Sequence, residues 1–160
     1  MLPIDPLCPP LDCERLATEL QAIQLIGEPV TLDNDAFYPT GEHFLQHISF
    51  LGCSPMIELE PPADPATLPA ASAAGKFCHV FLHCSRSLSL HADPQCPPPR
   101  CPECRQPLTE WRSAFNALQH NPTLTGCHCA SCGFDSQLTD LLFRKAAGIG
   151  HTFIVIRGIY

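Results

Sequence analysis

No stretch of this chain approaches the ~20 consecutive apolar residues that a membrane-spanning helix needs. A P-loop, a dinucleotide-binding glycine fingerprint and a serine nucleophile elbow are missing too. The H-E-x-x-H metalloprotease pattern is also absent. Positions 43–47 read His-Phe-Leu-Gln-His, with no acid between the histidines to act as base. Basic side chains are scarce: Lys plus Arg total 9 against 16 Asp plus Glu, a formal charge of −7. A general nucleic-acid binder gains affinity by neutralising phosphates, so this balance argues against that class. Residues 1–10 carry no basic n-region and no long apolar segment, and their prolines break a helix, so a secretory signal is not expected.

Charge is unevenly spread. Residues 1–96 hold 3 basic and 12 acidic side chains, whereas residues 97–160 hold 6 basic and 4 acidic. The acidic excess therefore lies in the first part of the chain. Arg100, Arg105, Arg112, Arg144 and Lys145 leave an opening for local phosphate contacts, against the plainer reading of solvated surface charge. At 160 residues and 45% hydrophobic content the chain is long and apolar enough for a real core.

What the chain has in excess is cysteine, with 11 residues. Four of them form two C-x-x-C pairs, Cys101-Pro-Glu-Cys104 and Cys129-Ala-Ser-Cys132-Gly133. Two such pairs are the ligand set of a closed tetrahedral zinc site, with Zn–S distances of about 2.3 Å. Proline after the first cysteine presets φ, and glycine after the last tolerates a positive φ. The arrangement resembles the zinc-ribbon superfamily over roughly residues 99–134. The resemblance implies one structural zinc ion, the ligands Cys101, Cys104, Cys129 and Cys132, and knuckles at the tips of β-hairpins. Arg105 stands where the first knuckle of that family carries glycine. An odd cysteine count with metal spacing fits reduced thiols and a cytoplasmic location better than a disulfide framework.

Cys96 and Cys127 complicate this picture. The run Cys96-x4-Cys101-x2-Cys104 also matches plant-type iron–sulfur spacing, but its loop is filled with proline and offers few free amides. Small buried hydrophobes are the simpler account of both thiols. Whether Cys96, Cys127 or His128 joins the metal site, or forms a second one, stays open.

The pattern predicts an α+β fold: a small mixed sheet with flanking helices and an inserted zinc-ribbon module. Residues 12–26 read as an amphipathic helix capped by Asp12, with Leu16, Leu20 and Ile23 on one face. A second helix is expected over Glu42–Leu51, capped by Thr40. Met56–Glu60 reads as a short strand, and 61–75 as a loop unable to build core. Lys76–Cys84 reads as a central strand with Phe77, His79, Phe81 and His83 on one face, and Cys78, Val80, Leu82 and Cys84 on the other. Residues 94–102 form a stiff proline connector. Ser136–Ala147 has helical leucine spacing, and His151–Tyr160 is a strongly apolar strand that must be paired, with Lys76–Cys84 as its candidate neighbour. Three segments follow: an α+β core over 1–96, the zinc module over 97–134, and a helix and strand returning to the core over 135–160.

His43 and His47 would share a helix face, but structural histidines are the plainer reading. His79 and His83 sit about 13 Å apart by strand rise, too far to share a metal. Cys53 lies in a glycine-bounded turn where a nucleophile can sit, yet nothing in the sequence supplies its base. Trp111 is expected to pack the small module rather than stack on a base. The leading expectation is a non-enzymatic zinc-binding protein whose ribbon stabilises the fold and contacts another protein. The alternatives are a nucleic-acid-binding ribbon and a metal- or cysteine-dependent enzyme.

Overall fold

Asp12 caps the first helix as its sequence predicts: its carboxylate accepts the Arg15 amide at 2.9 Å, and α1 runs Cys13–Ala22. Leu16 and Ala17 are its buried residues. The helix is shorter than the apolar pattern suggests, because Ile23 is already its C-cap and is 46% exposed. This computed structural model describes residues 8–32, 35–49, 55–92, 96–120, 126–143 and 147–159. Within it the chain divides into two units. The first takes Leu11–Cys84 and Thr152–Tyr160, and the second contains Ser85–His151.

The first unit is layered around a sheet. Strands β1 (Val30–Leu32) and β2 (Asp35–Pro39) pair antiparallel, with Val30 opposite Phe37. Strand β2 then pairs antiparallel with β3 (His79–Ala92), Tyr38 opposite Val80. The last strand, β6 (Ala147–Arg157), lies beside β3, so the order is β1-β2-β3-β6. The expected neighbour of the apolar terminal strand is thus the one found. Strand β3 starts later than expected and extends well past Cys84.

Alternation from Phe77 into β3 fills two cores. Cys78, Val80 and Leu82 join Ala17, Leu20, Leu25, Ile26 and Phe44. Phe77 and Phe81 join Phe37, Ala71 and Leu68. This is the double-sided burial expected of a central strand.

Ala71 belongs to a helix that sequence reading misses. Residues 61–75 are not a coreless loop: a 3-10 turn (Pro65–Thr67) leads into α3 (Leu68–Ala73), which buries Ala71 and Ser72. Pro69 falls in the first turn, where its missing N–H costs no internal bond. Gly75 follows at φ 62.

Two other expectations are corrected. Helix α2 covers only Phe44–His47; Thr40 does not cap it but bridges to Ile26, and its hydroxyl donates to the Leu59 carbonyl. Met56–Glu60 forms no strand beyond an isolated bridge from Ile57 to Ile159.

In the second unit, α4 (Trp111–His120) lies between the two C-x-x-C segments, and β4 (Gly126–His128) pairs antiparallel with β5 (Asp135–Gln137). Residues 136–143 do not form the helix expected over Ser136–Ala147; residues 144–146 lie outside the described residues. Strand β5 passes into a 3-10 turn (Leu138–Asp140) and an extended Leu141, and β6 begins at Ala147. Leu142 instead exchanges both backbone hydrogen bonds with Arg100, at 3.0 and 3.2 Å. Trp111 is 2% exposed and packs edge-on to Phe143 in the core with Leu108, Phe115, Leu138, Leu141 and Ile149. It packs the module, as expected.

Candidate metal centre

The two knuckles share one backbone design. In the first, the Arg105 amide donates to the Cys101 carbonyl at 3.0 Å and the Cys101 amide to the Gln106 carbonyl at 2.9 Å. In the second, the Gly133 amide donates to the Cys129 carbonyl at 2.8 Å and the Cys129 amide to the Phe134 carbonyl at 2.9 Å. The residue after each second cysteine has positive φ: Arg105 at 64° and Gly133 at 74°. Arginine therefore adopts the turn that the ribbon resemblance assigns to glycine, at the strain cost a Cβ imposes there.

These turns bring the four sulfurs together. The Sγ atoms of Cys101, Cys104, Cys129 and Cys132 all lie within 4.8 Å of one another. Across the knuckles, Cys101 and Cys132 are 3.8 Å apart, and Cys104 and Cys129 are 3.6 Å apart. A tetrahedron of sulfurs at zinc–thiolate bond length has edges of about 3.8 Å. The spacing fits a single cation.

Electrostatics favour a cation as well. The Cys132 amide, first among several donors, holds the Cys129 thiol down at about 6. Cys132 behaves in the opposite way. The Phe134 amide favours its thiolate, but desolvation and the sulfurs of Cys104, Cys129 and Cys101 push it up to about 12. Four sulfurs in one small volume do not all ionise against each other, and a divalent cation removes that conflict.

Burial is graded around the site. Cys101 and Cys129 are 0% and 1% exposed, Cys104 is intermediate, and Cys132 is exposed. The second knuckle is the outward one: Ala130 to Asp135 are all exposed, including Phe134 at 41%.

The other sulfur and nitrogen candidates stay out of the cluster. Cys96 is buried and donates to the Pro97 carbonyl, so the plant-type iron–sulfur set is not assembled. Cys127 is buried, and desolvation followed by the charges of Cys129 and Cys101 raises its thiol. His128, on β4, points Nδ1 at the Asp135 carboxylate 2.8 Å away, and both side chains are largely exposed. Among the described residues no other group of His, Cys, Asp or Glu side chains has metal-binding spacing.

Elsewhere, His47 donates through Nε2 to the Ile23 carbonyl, and with His43 it builds no metal group. His79 is a core histidine: Nδ1–H donates to the Phe77 carbonyl at 2.8 Å, and Nε2 accepts the Ser72 hydroxyl at 3.0 Å. Cys78 is buried, which pushes its thiol up to about 11 and makes it a poor nucleophile. Cys53, Arg144 and Lys145 lie outside the described residues. Arg100 uses a guanidinium N–H on the Arg105 carbonyl at 2.9 Å, and Arg112 lies over the Trp111 ring at 4.6 Å.

One pairing corrects the expectation that the thiols outside the metal set are reduced. Cys13 and Cys84 form a disulfide across 71 residues of sequence, their Cα atoms 5.8 Å apart. Spacing carries no signal for such a pair, since many partners fit eleven cysteines equally well. Among the described residues no helix is long and apolar enough to cross a membrane. Compared with known proteins, the chain matches no family model, no curated protein and no solved structure.

Proposed function

We propose that this is a zinc-binding, non-enzymatic protein in which one zinc ion, held by Cys101, Cys104, Cys129 and Cys132, keeps the second unit folded. The observation that carries the reading is the sulfur geometry: four sulfurs from two knuckles within 4.8 Å of one another. A full set of four protein ligands leaves no open position for water or substrate, which is the mark of a structural rather than a catalytic zinc site. All-sulfur donors select zinc over hard cations such as magnesium or calcium.

In this reading the ion ties Cys101 and Cys104 to the hairpin of β4 and β5, and α4 with Trp111 packs between. The exposed second knuckle, with Phe134 at its edge, is the surface offered to another protein. The cytoplasm is the proposed location. Elemental analysis of the purified chain tests the metal, with one zinc per chain expected. Iron, or no metal, overturns that part of the reading. Pull-down of native partners with the intact chain, compared with Phe134→Ser, tests the contact surface. Binding to DNA or RNA at 50 mM salt, where electrostatic attachment is strong, would favour the nucleic-acid alternative instead.

A further inference from the structure

The Cys13–Cys84 bond stands apart from the metal centre and lies wholly in the first unit. One sulfur belongs to the first residue of α1 and the other to the sheet strand β3. Both cysteines are only partly buried, so a thiol can reach the bond. A disulfide that is not sealed in the core is open to thiol exchange.

What else holds α1 is slight. Of its side chains, Ala17 and Leu20 enter the core with Leu25, Phe44 and Val80, and Leu16 is buried. Its outer face is polar, carrying Glu14, Thr18 and an exposed Arg15–Glu19 ion pair. Such a pair adds little in water. A helix of 10 residues is marginal without tertiary support. Beyond the core contacts and the disulfide, its tethers are few. The Leu11 amide donates to the Thr152 hydroxyl at 3.3 Å, Gln21 donates to the Gly27 carbonyl at 3.1 Å, and His47 donates to the carbonyl of the C-cap Ile23 at 3.0 Å.

We propose that the Cys13–Cys84 bond is a thiol-exchangeable clasp, whose reduction by a thiol of the glutathione class frees α1 and uncovers the apolar surface around Leu25, Phe44 and Val80. The incoming thiolate attacks one sulfur of the pair. The S–S bond breaks, and the displaced cysteine leaves as a thiolate and takes up a proton. A second thiol attacks the mixed disulfide and releases the other cysteine. The protein gains two electrons and two protons, and two glutathione thiols become one glutathione disulfide. Oxidised glutathione drives the reverse. The zinc thiolates lie in the other unit and take no part in the exchange.

The test uses the full, zinc-loaded chain in glutathione buffers stepped from oxidising to reducing, read by hydrogen exchange. Reduction is expected to speed exchange of the amides in 13–22 at least tenfold, to leave 126–137 unchanged, and to reverse on reoxidation. The double variant Cys13→Ser/Cys84→Ser is expected to show the fast pattern in every buffer. The proposal is overturned if α1 is equally protected in both states, or if protection falls equally in 126–137. Alkylation that finds both cysteines free in the most oxidising buffer overturns it as well. Should the double variant fail to fold, the wild-type cycle decides alone, and irreversible unfolding on reduction counts against the clasp.

Discussion

Arg105 and Gly133 are equivalent residues: each follows the second cysteine of its knuckle, sits at positive φ, and donates its amide to the carbonyl of the first cysteine. Only one of them is glycine. Replacing Arg105 with glycine removes a side chain from a strained conformation, while adding freedom to the unfolded chain. We expect Arg105→Gly to be neutral or stabilising by up to about 1 kcal/mol. Gly133→Ala meets no neighbour within 4 Å, so its cost is conformational alone. A loss of about 1 kcal/mol is expected there. Thermal melts of the two zinc-loaded variants check both.

Loss of one metal ligand has a larger effect. Cys101→Ser and Cys132→Ser are expected to drop bound zinc well below one per chain and to unfold the second unit. Zinc binding and folding are coupled by something of order 10 kcal/mol in isolated fingers. Trp111 is the chain's sole tryptophan and sits in that unit's core, so its emission should shift to the red in both variants and on adding chelator. Unchanged emission with zinc removed would dissociate the metal from the fold.

His79 makes the first unit sensitive to acid. Burial, the largest cause, lowers its affinity for a proton; the Phe77 carbonyl resists, and the Arg157 charge adds to the lowering. Below about 6.5 the unfolded chain therefore binds a proton that the folded imidazole refuses. The stabilisation is complete above that pH and declines as pH falls towards the folded value. A melting temperature that falls from pH 7 to pH 5, with a shallower fall in His79→Gln, is the expected result.

Gly158 presents a harder limit. Its φ is 76°, and a Cβ there would run into the Phe77 carbonyl and the Cys78 amide. Strain and backbone overlap act together, so Gly158→Ala is expected to cost about 3 kcal/mol or more. Denaturant unfolding of this variant beside Gly133→Ala separates steric from purely conformational cost.

The parts of this structure that were legible in the sequence are those with short-range causes. Asp12 and its helix, the two-faced strand through Val80, and the pairing of cysteines at x-x spacing each announce themselves within a few residues. The misread parts depend on distant partners. Leu138, Leu141 and Leu142 fall at helical offsets, yet Leu142 takes Arg100 as its backbone partner, and the chain makes one 3-10 turn at Leu138–Asp140 before Leu141 runs extended. Cys13 finds Cys84 only through the fold. Helix α3 was hidden differently: alanine favours a helix but leaves no apolar periodicity, and the nearby prolines read as loop.

That small-residue helix raises the question of what sets its alignment, since alanines offer almost no shape to index against. The Ser72 hydroxyl on the His79 imidazole supplies the answer. Sliding α3 by one residue would put Ala71 or Ala73 over the ring and strand a nitrogen with no water to serve it. One polar peg thus keys an otherwise featureless surface. Ser72→Ala should therefore loosen the seating of α3 as well as lower its stability.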